Sequence, residues 1–354
     1  MILVVQNWVP HYRRALFNAL CDLDDVVIVH SGMPAREGAN RYRERILPSR
    51  RIGPFVLQEG LAEAIRQLSP EFVIASADIR NVASISAMFR FDRSVRWIWW
   101  GMDRGASRTA YVVKKLIARR DNALVFYNER VCAEFAQSGF PAEKLFVANN
   151  TFHVESHGSL HDSLPKDILI NVGTLDARKQ NDVLIRVFAR ITKNVREDLK
   201  LYIIGEGAQK EFLTELVHEL GLEGRVILTG KIESPEILRT YYSRAIASVS
   251  FGQAGLAVLQ SMAFGVPFVT KTTAISGGEK HNIVDGVNGL FCGDEERDLE
   301  AVLQKLICDP GFAAMLGKNA YRHYVENASI QNMVKGFTGA MAYRREMEDG
   351  PHSG

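Results

Sequence analysis

The chain has 354 residues, more than one ordinary hydrophobic core needs, and this length points to two domains of roughly 150 to 200 residues each. Hydrophobic residues at 47% and charged residues at 24% are the proportions of a folded globular protein, which excludes disorder, collagen and coiled coil for the bulk of the chain. The net charge of +2 is too balanced to mark a nucleic-acid coat, and no nucleic-acid partner is expected. That balance conceals a division, because residues 1–150 carry +6 and the remainder −4.

The opening Met1-Ile2-Leu3-Val4-Val5-Gln6-Asn7 lacks a basic stretch and turns polar at once, so no secretory signal is expected. In chain order, apolar runs predict strands at Ile2–Gln6, Val26–His30, Phe72–Ser76, Val95–Trp100, Ala123–Tyr127 and Leu145–Ala148. Between them, apolar residues at three- and four-residue spacing predict helices, as at Leu16, Phe17 and Leu20 or Leu61, Ile65 and Leu68. One of these helical stretches, Arg108–Arg120, is basic and amphipathic, fitting either an anionic membrane surface or an ordinary solvated helix face. A polar segment from about Phe152 to Lys166 interrupts the pattern and reads as a linker. Its His153, His157 and His161 lack the acidic companions of a metal motif, and no metal site is expected.

The alternation then restarts, with strands predicted at Ile168–Val172, Leu201–Ile204, Val226–Thr229, Ala247–Ser250 and Pro267–Thr270 and helices at Val183–Ile191 and Phe212–Leu220. Ser234-Pro235 reads as a helix start, while Gly221 and Gly265 read as helix ends. Continuous apolar strands alternating with amphipathic helices are β-α-β units of a parallel sheet covered on both faces. The expected architecture is therefore α/β, two doubly wound Rossmann-like domains spanning 1–152 and 166–326, with a last helix at about 330–348 packed back on the first. Such sheets bind ligands at the carboxyl ends of their strands, so a site in a cleft between the domains is the expectation. The scattered Cys21, Cys132, Cys292 and Cys308 read as buried or half-buried thiols of a reducing, cytoplasmic compartment.

Three segments of the second half carry chemistry. The strand Leu201-Tyr202-Ile203-Ile204 ends in Gly205-Glu206-Gly207, but Lys210 stands where a dinucleotide fingerprint wants glycine, and no Walker A loop is present. Gly252-Gln253-Ala254-Gly255-Leu256 leads from a strand into an apolar helix. Glycine there would let a ligand approach helix-start amides, or would equally serve close helix–strand packing. Gly173-Thr174-Leu175-Asp176-Ala177-Arg178-Lys179-Gln180 sets two cations at a strand end, where they suit a diphosphate or simply a solvated loop.

Taken as a linked set these segments resemble the C-terminal domain of retaining glycosyltransferases of family 4, which have the GT-B fold. The family reads V-G-R-L-x-x-x-K-G, then G-x-G, then E-x-F-G-L-x-x-L-E-A-M-A-x-G-x-P-V. This chain has Val172-Gly173, Leu175 and Lys179, then Gly205 and Gly207, then Gly255-Leu256, Leu259, Met262-Ala263, Gly265 and Pro267. Gly277-Gly278-Glu279 and Asp285-Gly286-Val287-Asn288-Gly289-Leu290 resemble the family's closing segments. Thr174 replaces the family arginine, and Gly252 and Gln260 replace both glutamates of E-x7-E, as in a bacterial subset with a degenerate motif. In the first half, Asn7-Trp8-Val9-Pro10-His11-Tyr12-Arg13 and Trp99-Trp100-Gly101-Met102-Asp103-Arg104-Gly105 resemble that subset's N-x-x-P-x-Y-R and W-G-x-G segments.

The resemblance implies transfer of a sugar, with retention and without a metal or cofactor, from a UDP- or GDP-type nucleotide-sugar donor. The implied acceptor is a glycan or lipid-linked glycan of envelope or exopolysaccharide assembly. The donor set it implies is Gly173, Thr174, Gly205, Gly207, Ile232, Gly252, Gln253, Gly255, Leu256 and Gln260. Arg178 and Lys179 would carry the diphosphate charge, and Asp103 and His11 are the candidates on the acceptor side. A non-catalytic sugar-nucleotide-binding subunit and a GT-B sugar-nucleotide epimerase stand as alternatives.

Overall fold

The computed structural model describes residues 1–34, 40–91, 95–103, 108–120, 122–154 and 165–343. The chain divides into two compact units, Met1–Asn149 together with the residues from Ile330 onward, and Asn150–Ser329. His157, His161, Arg104, Gly105 and positions 344–348 of the predicted last helix lie outside the described residues.

The first unit runs β1 (Ile2–Val5), α1 (Arg14–Leu20), β2 (Val26–His30), β3 (Arg43–Ile46), a hairpin of β4 (Ser49–Ile52) and β5 (Phe55–Gln58), then α2 (Leu61–Leu68) and β6 (Phe72–Ser76). It continues through α3 (Val82–Phe91), β7 (Arg96–Trp100), α4 (Arg108–Arg119), β8 (Ala123–Phe126), α5 (Glu129–Gln137) and β9 (Leu145–Val147). Seven strands form one parallel sheet in the order β3-β2-β1-β6-β7-β8-β9, with Ile2 in register with both Val26 and Phe72. Successive residues of its inner strands enter opposite cores: Leu3, Val5, Val73 and Trp97 on one side, Ile2, Val4, Ile74 and Ile98 on the other. This two-sided burial is why the strands read as unbroken apolar runs.

The second unit runs β10 (Ile168–Val172), α6 (Asn181–Asn194), β11 (Lys200–Ile204), α7 (Lys210–Glu219), β12 (Val226–Gly230), α8 (Pro235–Tyr242) and β13 (Ala245–Val249). Then follow α9 (Ala257–Ala263), β14 (Phe268–Lys271), β15 (Gly289–Cys292), α10 (Glu296–Cys308) and α11 (Pro310–His323). Its parallel sheet has the order β12-β11-β10-β13-β14-β15. In both sheets the order reverses beside the unit's first strand, so β1 and β10 each open a crevice at their carboxyl ends. Ser234 Oγ accepts the Ile237 amide at 3.2 Å and Pro235 fills the first turn of α8, while Gly221, at φ +62°, closes α7.

The predicted central strands coincide with observed ones to within one or two residues at either end. Sequence reading missed β3, the β4–β5 hairpin and β15. Each is only four residues long; β3 and β4 are polar, Arg43-Glu44-Arg45-Ile46 and Ser49-Arg50-Arg51-Ile52, while β5 and β15, Phe55-Val56-Leu57-Gln58 and Gly289-Leu290-Phe291-Cys292, are apolar but too short to stand out as runs. Of the four cysteines, Cys308 is exposed rather than buried or half-buried, because it ends α10 on the solvent side. No helix among the described residues is long and apolar enough to cross a membrane.

The last helix, α12 (Ile330–Ala342), belongs to the first unit, where it packs against α1, β8 and β9. Phe337 is fully buried and meets Trp100 edge-on at 5.3 Å. Replacing Phe337 with Ala is expected to cost about 3–5 kcal/mol of stability, measurable by thermal or urea unfolding. A loss below about 1 kcal/mol would mean that α12 does not hold this unit together.

Candidate functional site

The loops after β10, β11 and β13 meet at the carboxyl end of the second sheet. The chain leaves β10 through Gly173-Thr174-Leu175-Asp176 and enters a 3-10 turn, Ala177–Lys179, because the Asp176 carboxylate accepts the Arg178 amide at 3.0 Å. Backbone hydrogen bonds stitch the loops together: the Gly173 amide donates to the Ile204 carbonyl at 3.0 Å, Gly205 to Gly230 at 2.9 Å, Leu175 to Glu206 at 2.9 Å and Gly252 to Lys179 at 3.1 Å.

The glycines at this junction do not share one role. A Cβ on Gly205 would overlap the Gly173 carbonyl oxygen, one on Gly207 the Leu175 carbonyl and one on Gly252 the Arg178 carbonyl. Those three glycines let backbone rest on backbone. A Cβ on Gly255 would meet nothing within 4 Å, so packing does not require glycine there. Beyond it, the Gly255 and Leu256 amides have no backbone acceptor among the described residues, and α9 begins at Ala257.

Lys179 is the electrostatic centre of this arrangement. Its side chain runs beside Gly173, it is 8% exposed, and its ammonium donates only a long 3.5 Å hydrogen bond to the Gln253 carbonyl. It makes no ion pair among the described residues. Burial holds its pKa below the usual lysine value, with Asp176 and Glu279 pulling the other way from a distance and Arg178 adding to the depression. Arg178 behaves differently. It is exposed and held by the Asp176 carboxylate at 2.8 and 3.3 Å, so it stands at the rim as half of an ion pair. The same hydrogen bonds hold the Asp176 carboxyl below its ordinary pKa.

Two residues at this place escaped sequence reading. Gln180 adopts the left-handed conformation, φ +55° and ψ +45°, a state that costs a residue with a side chain about 1–2 kcal/mol. The family motif carries glycine at this position, so the departure was legible in the sequence. Its carboxamide lies against Gly252, and its Oε1 is buried without a hydrogen-bond partner among the described residues. Asn181, the first residue of α6, is buried with both side-chain polar atoms unpartnered among the described residues. Strain and unmade hydrogen bonds thus collect at Gln180 and Asn181, directly after Lys179.

The remaining predicted donor residues fall around the same junction or beside it. Thr174 is exposed on the β10 loop, Gln253 bridges to Ile275, and Gln260 is buried on α9 with no side-chain hydrogen bond among the described residues. Ile232 is half-buried and packs on the apolar layer that includes Ala254 and Val258. The two first-unit candidates stand on different loops, His11 after β1 and Asp103 after β7. His11 is exposed on a 3-10 turn with its ring edge-on to Tyr12 at 5.7 Å. Asp103 pairs with the buried Lys114 ammonium, so Lys114 faces inward and is not one of the surface cations of α4.

Residues 155–323, just under half of the chain, match the family described as glycosyl transferases group 1. A glycosyltransferase of Methanocaldococcus jannaschii is 27% identical over 171 residues, 48% of this chain and 43% of that protein. The N-acetylgalactosamine-N,N'-diacetylbacillosaminyl-diphospho-undecaprenol 4-alpha-N-acetylgalactosaminyltransferase of Campylobacter jejuni is 38% identical over 96 residues, 26% of this chain and 25% of that protein. The chain thus spans less than half the length of each of these relatives. Among solved structures, Anabaena HepE in complex with UDP and glucose superposes with a TM-score of 0.72 at 15% identity, covering 97% of this chain and 99% of that one. The fold is GT-B.

The different surroundings of the glycines give opposite expectations. Gly252→Ala should destabilise the protein by about 1–3 kcal/mol in chemical denaturation, whereas Gly255→Ala should change stability by no more than about 0.5 kcal/mol. Equal effects would contradict the loop packing described above.

Proposed function

We propose that this chain is a retaining, metal-independent glycosyltransferase of family 4, in the subset whose E-x7-E glutamates are replaced. It moves a sugar from a UDP- or GDP-type donor to a glycan or lipid-linked acceptor in envelope or exopolysaccharide assembly at the cytoplasmic face of the membrane. The observation that carries this reading is Lys179, a buried ammonium without a carboxylate, beside a rim arginine and the open approach at Gly255. A buried cation left unpaired is costly, and an anionic ligand is what relieves it. The glycosyl transferases group 1 match, the UDP and glucose bound by HepE and the diphospho-undecaprenol named for the Campylobacter relative support the substrate classes.

In this reading the bond between the donor's anomeric carbon and its diphosphate oxygen breaks, and the electron pair stays on the phosphate. Lys179, Arg178 and the Gly255 and Leu256 amides stabilise that growing charge. Gln260 holds the ribose by a neutral hydrogen bond, weaker than a carboxylate would make. The acceptor hydroxyl attacks the face the diphosphate leaves, and its proton passes to a donor phosphate oxygen, so no side-chain base is assigned. His11 and Asp103 belong to the acceptor side, Asp103 through its hold on Lys114.

One observation favours a second reading, a sugar-nucleotide-binding subunit without transfer: Gly252 leaves no room for a side chain where relatives contact the donor sugar. Nucleotide binding without transfer or donor hydrolysis, across an acceptor panel, would select it. On the enzyme reading, Lys179→Ala and Arg178→Ala should each depress transfer by on the order of 10²-fold. Because burial lowers the Lys179 pKa, its charge is lost as pH rises through an alkaline window below the ordinary lysine value. Donor affinity in calorimetry should fall across that window and show no such step in Lys179→Ala. Turnover untouched by either substitution would remove the diphosphate role.

The first unit supplies a membrane contact in this proposal. Neither α3 nor α4 contains an acidic residue. Phe89, Val112 and Leu116 are exposed, flanked by Lys115 over the Tyr111 ring and Arg120 over the Phe89 ring at 4.3 Å. An apolar stripe rimmed by cations fits an anionic bilayer surface. The chain should co-sediment with phosphatidylcholine vesicles containing phosphatidylglycerol, and Val112→Asp with Leu116→Asp should weaken that by on the order of 10-fold or more. Indifference to vesicle charge would exclude the contact.

A further inference from the structure

Gln180 holds a conformation that glycine would adopt without strain. Among the described residues only Ser69 shares this feature, a positive φ on a residue with a side chain. Ser69 is exposed at the end of α2, where a left-handed residue commonly closes a helix. Gln180 is half-buried and stands before a helix, and its side chain makes no capping hydrogen bond to α6. Neither helix geometry nor capping therefore accounts for a long polar side chain at this point, and strain kept at one residue points to a use of that residue.

The side chain has a definite place. Were Gly252 to carry a Cβ, Gln180 Cγ and Oε1 would each lie 2.9 Å from it, so Gln180 fills the space that a side chain at 252 would need. The family motif has glycine at the position of Gln180 and glutamate at that of Gly252. In this chain the glycine and the polar side chain have changed places across the junction. The two loops concerned are held together there by the Gly252 amide on the Lys179 carbonyl at 3.1 Å. Gln180 Oε1 is turned inward and buried, and the carboxamide makes no hydrogen bond among the described residues.

Lys179 Nζ reaches the Gln253 carbonyl, and Gln180 lies on Gly252 beside it, so ammonium and carboxamide border adjacent residues of one loop. Their chemistry differs. The ammonium suits an anion, whereas a carboxamide is neutral and can donate to or accept from a hydroxyl. In a nucleotide sugar the neutral, hydroxyl-bearing group joined directly to the diphosphate is the sugar. We infer that Gln180 reads the donor sugar in this chain: with the diphosphate at Lys179, Gln180 Nε2 donates to a sugar hydroxyl from the place that a side chain at 252 leaves empty. The identity of the ligand rests on the glycosyltransferase reading; the choice of Gln180 rests on its strain and its placement.

Calorimetry on the full chain compares UDP and GDP with UDP-glucose, UDP-N-acetylglucosamine and GDP-mannose. Gln180→Met keeps the volume over Gly252 and loses the hydrogen bond, while Gln180→Gly loses both and relieves the strain. Each should weaken the tightest sugar nucleotide by roughly 5- to 10-fold, the worth of one hydrogen bond, and leave the bare nucleotide within about twofold. Thermal unfolding of the same samples separates lost binding from lost fold. Sugar-nucleotide affinity untouched by either variant would overturn the inference. So would a loss in Gln180→Gly that Gln180→Met does not share, which would make Gln180 a filler of space, or an equal loss for the bare nucleotide. Failure of the unaltered chain to bind any of the five ligands is a distinct result, and would strike the donor reading itself.

Discussion

Lys179 is a cation removed from water without a carboxylate to hold it, and the second unit is arranged around that cost. The ammonium reaches a single distant carbonyl, on Gln253. Its backbone carbonyl meanwhile receives the Gly252 amide, which pins the β13 loop to the β10 loop. Glycine at 205, 207 and 252 lets the loops approach closely enough to enclose the lysine stem, so burial of the charge and nesting of the backbone are one constraint. The strain at Gln180 and the unpartnered amide of Asn181 lie next along the chain.

The two units share a topology and differ in chemistry. Each sheet reverses its strand order beside its first strand, which leaves a crevice at the carboxyl ends. In the second unit the crevice holds a buried, unpaired charge. In the first, Asp78 is paired with Arg80, while Arg13 hydrogen-bonds Gln6 and Tyr127 against the Trp100 ring and meets no carboxylate among the described residues. Part of the +6 of residues 1–150 borders the apolar stripe of α4. Scaffold alone says little about a ligand, and the state of each polar atom says more.

Much of this was legible in the sequence, for identifiable reasons. Strands such as Val26–His30 and Ile168–Val172 are buried on both faces, so their apolar runs are unbroken and their limits plain. Ser234-Pro235 and Gly221 mark helix ends because backbone geometry restricts which residues can stand there. The edge strands β9 and β12 kept enough apolar residues to be read, but β3 reads Arg43-Glu44-Arg45-Ile46 and resembles a polar loop. At the site, Lys179 and its glycines stood out through the family resemblance, but their separate roles did not. Gly252 and Gly255 look alike in a motif, yet one bears against a carbonyl and the other faces open space. Asp103 could be singled out, while its partner Lys114 looked like one more surface cation.

The sequence by itself determined two parallel α/β units, the order of their strands along the chain and the segments that carry polar chemistry, because hydrophobic period and turn residues act over short distances. Only the tertiary structure decided which cations are free. Arg178 and Lys179 are adjacent in the chain, yet one is exposed and paired with Asp176 while the other is buried and unpaired. Lys114 turned inward for the same kind of reason. The pairing of a charge depends on desolvation and on partners brought from elsewhere in the fold, and neither has a local signature along the chain.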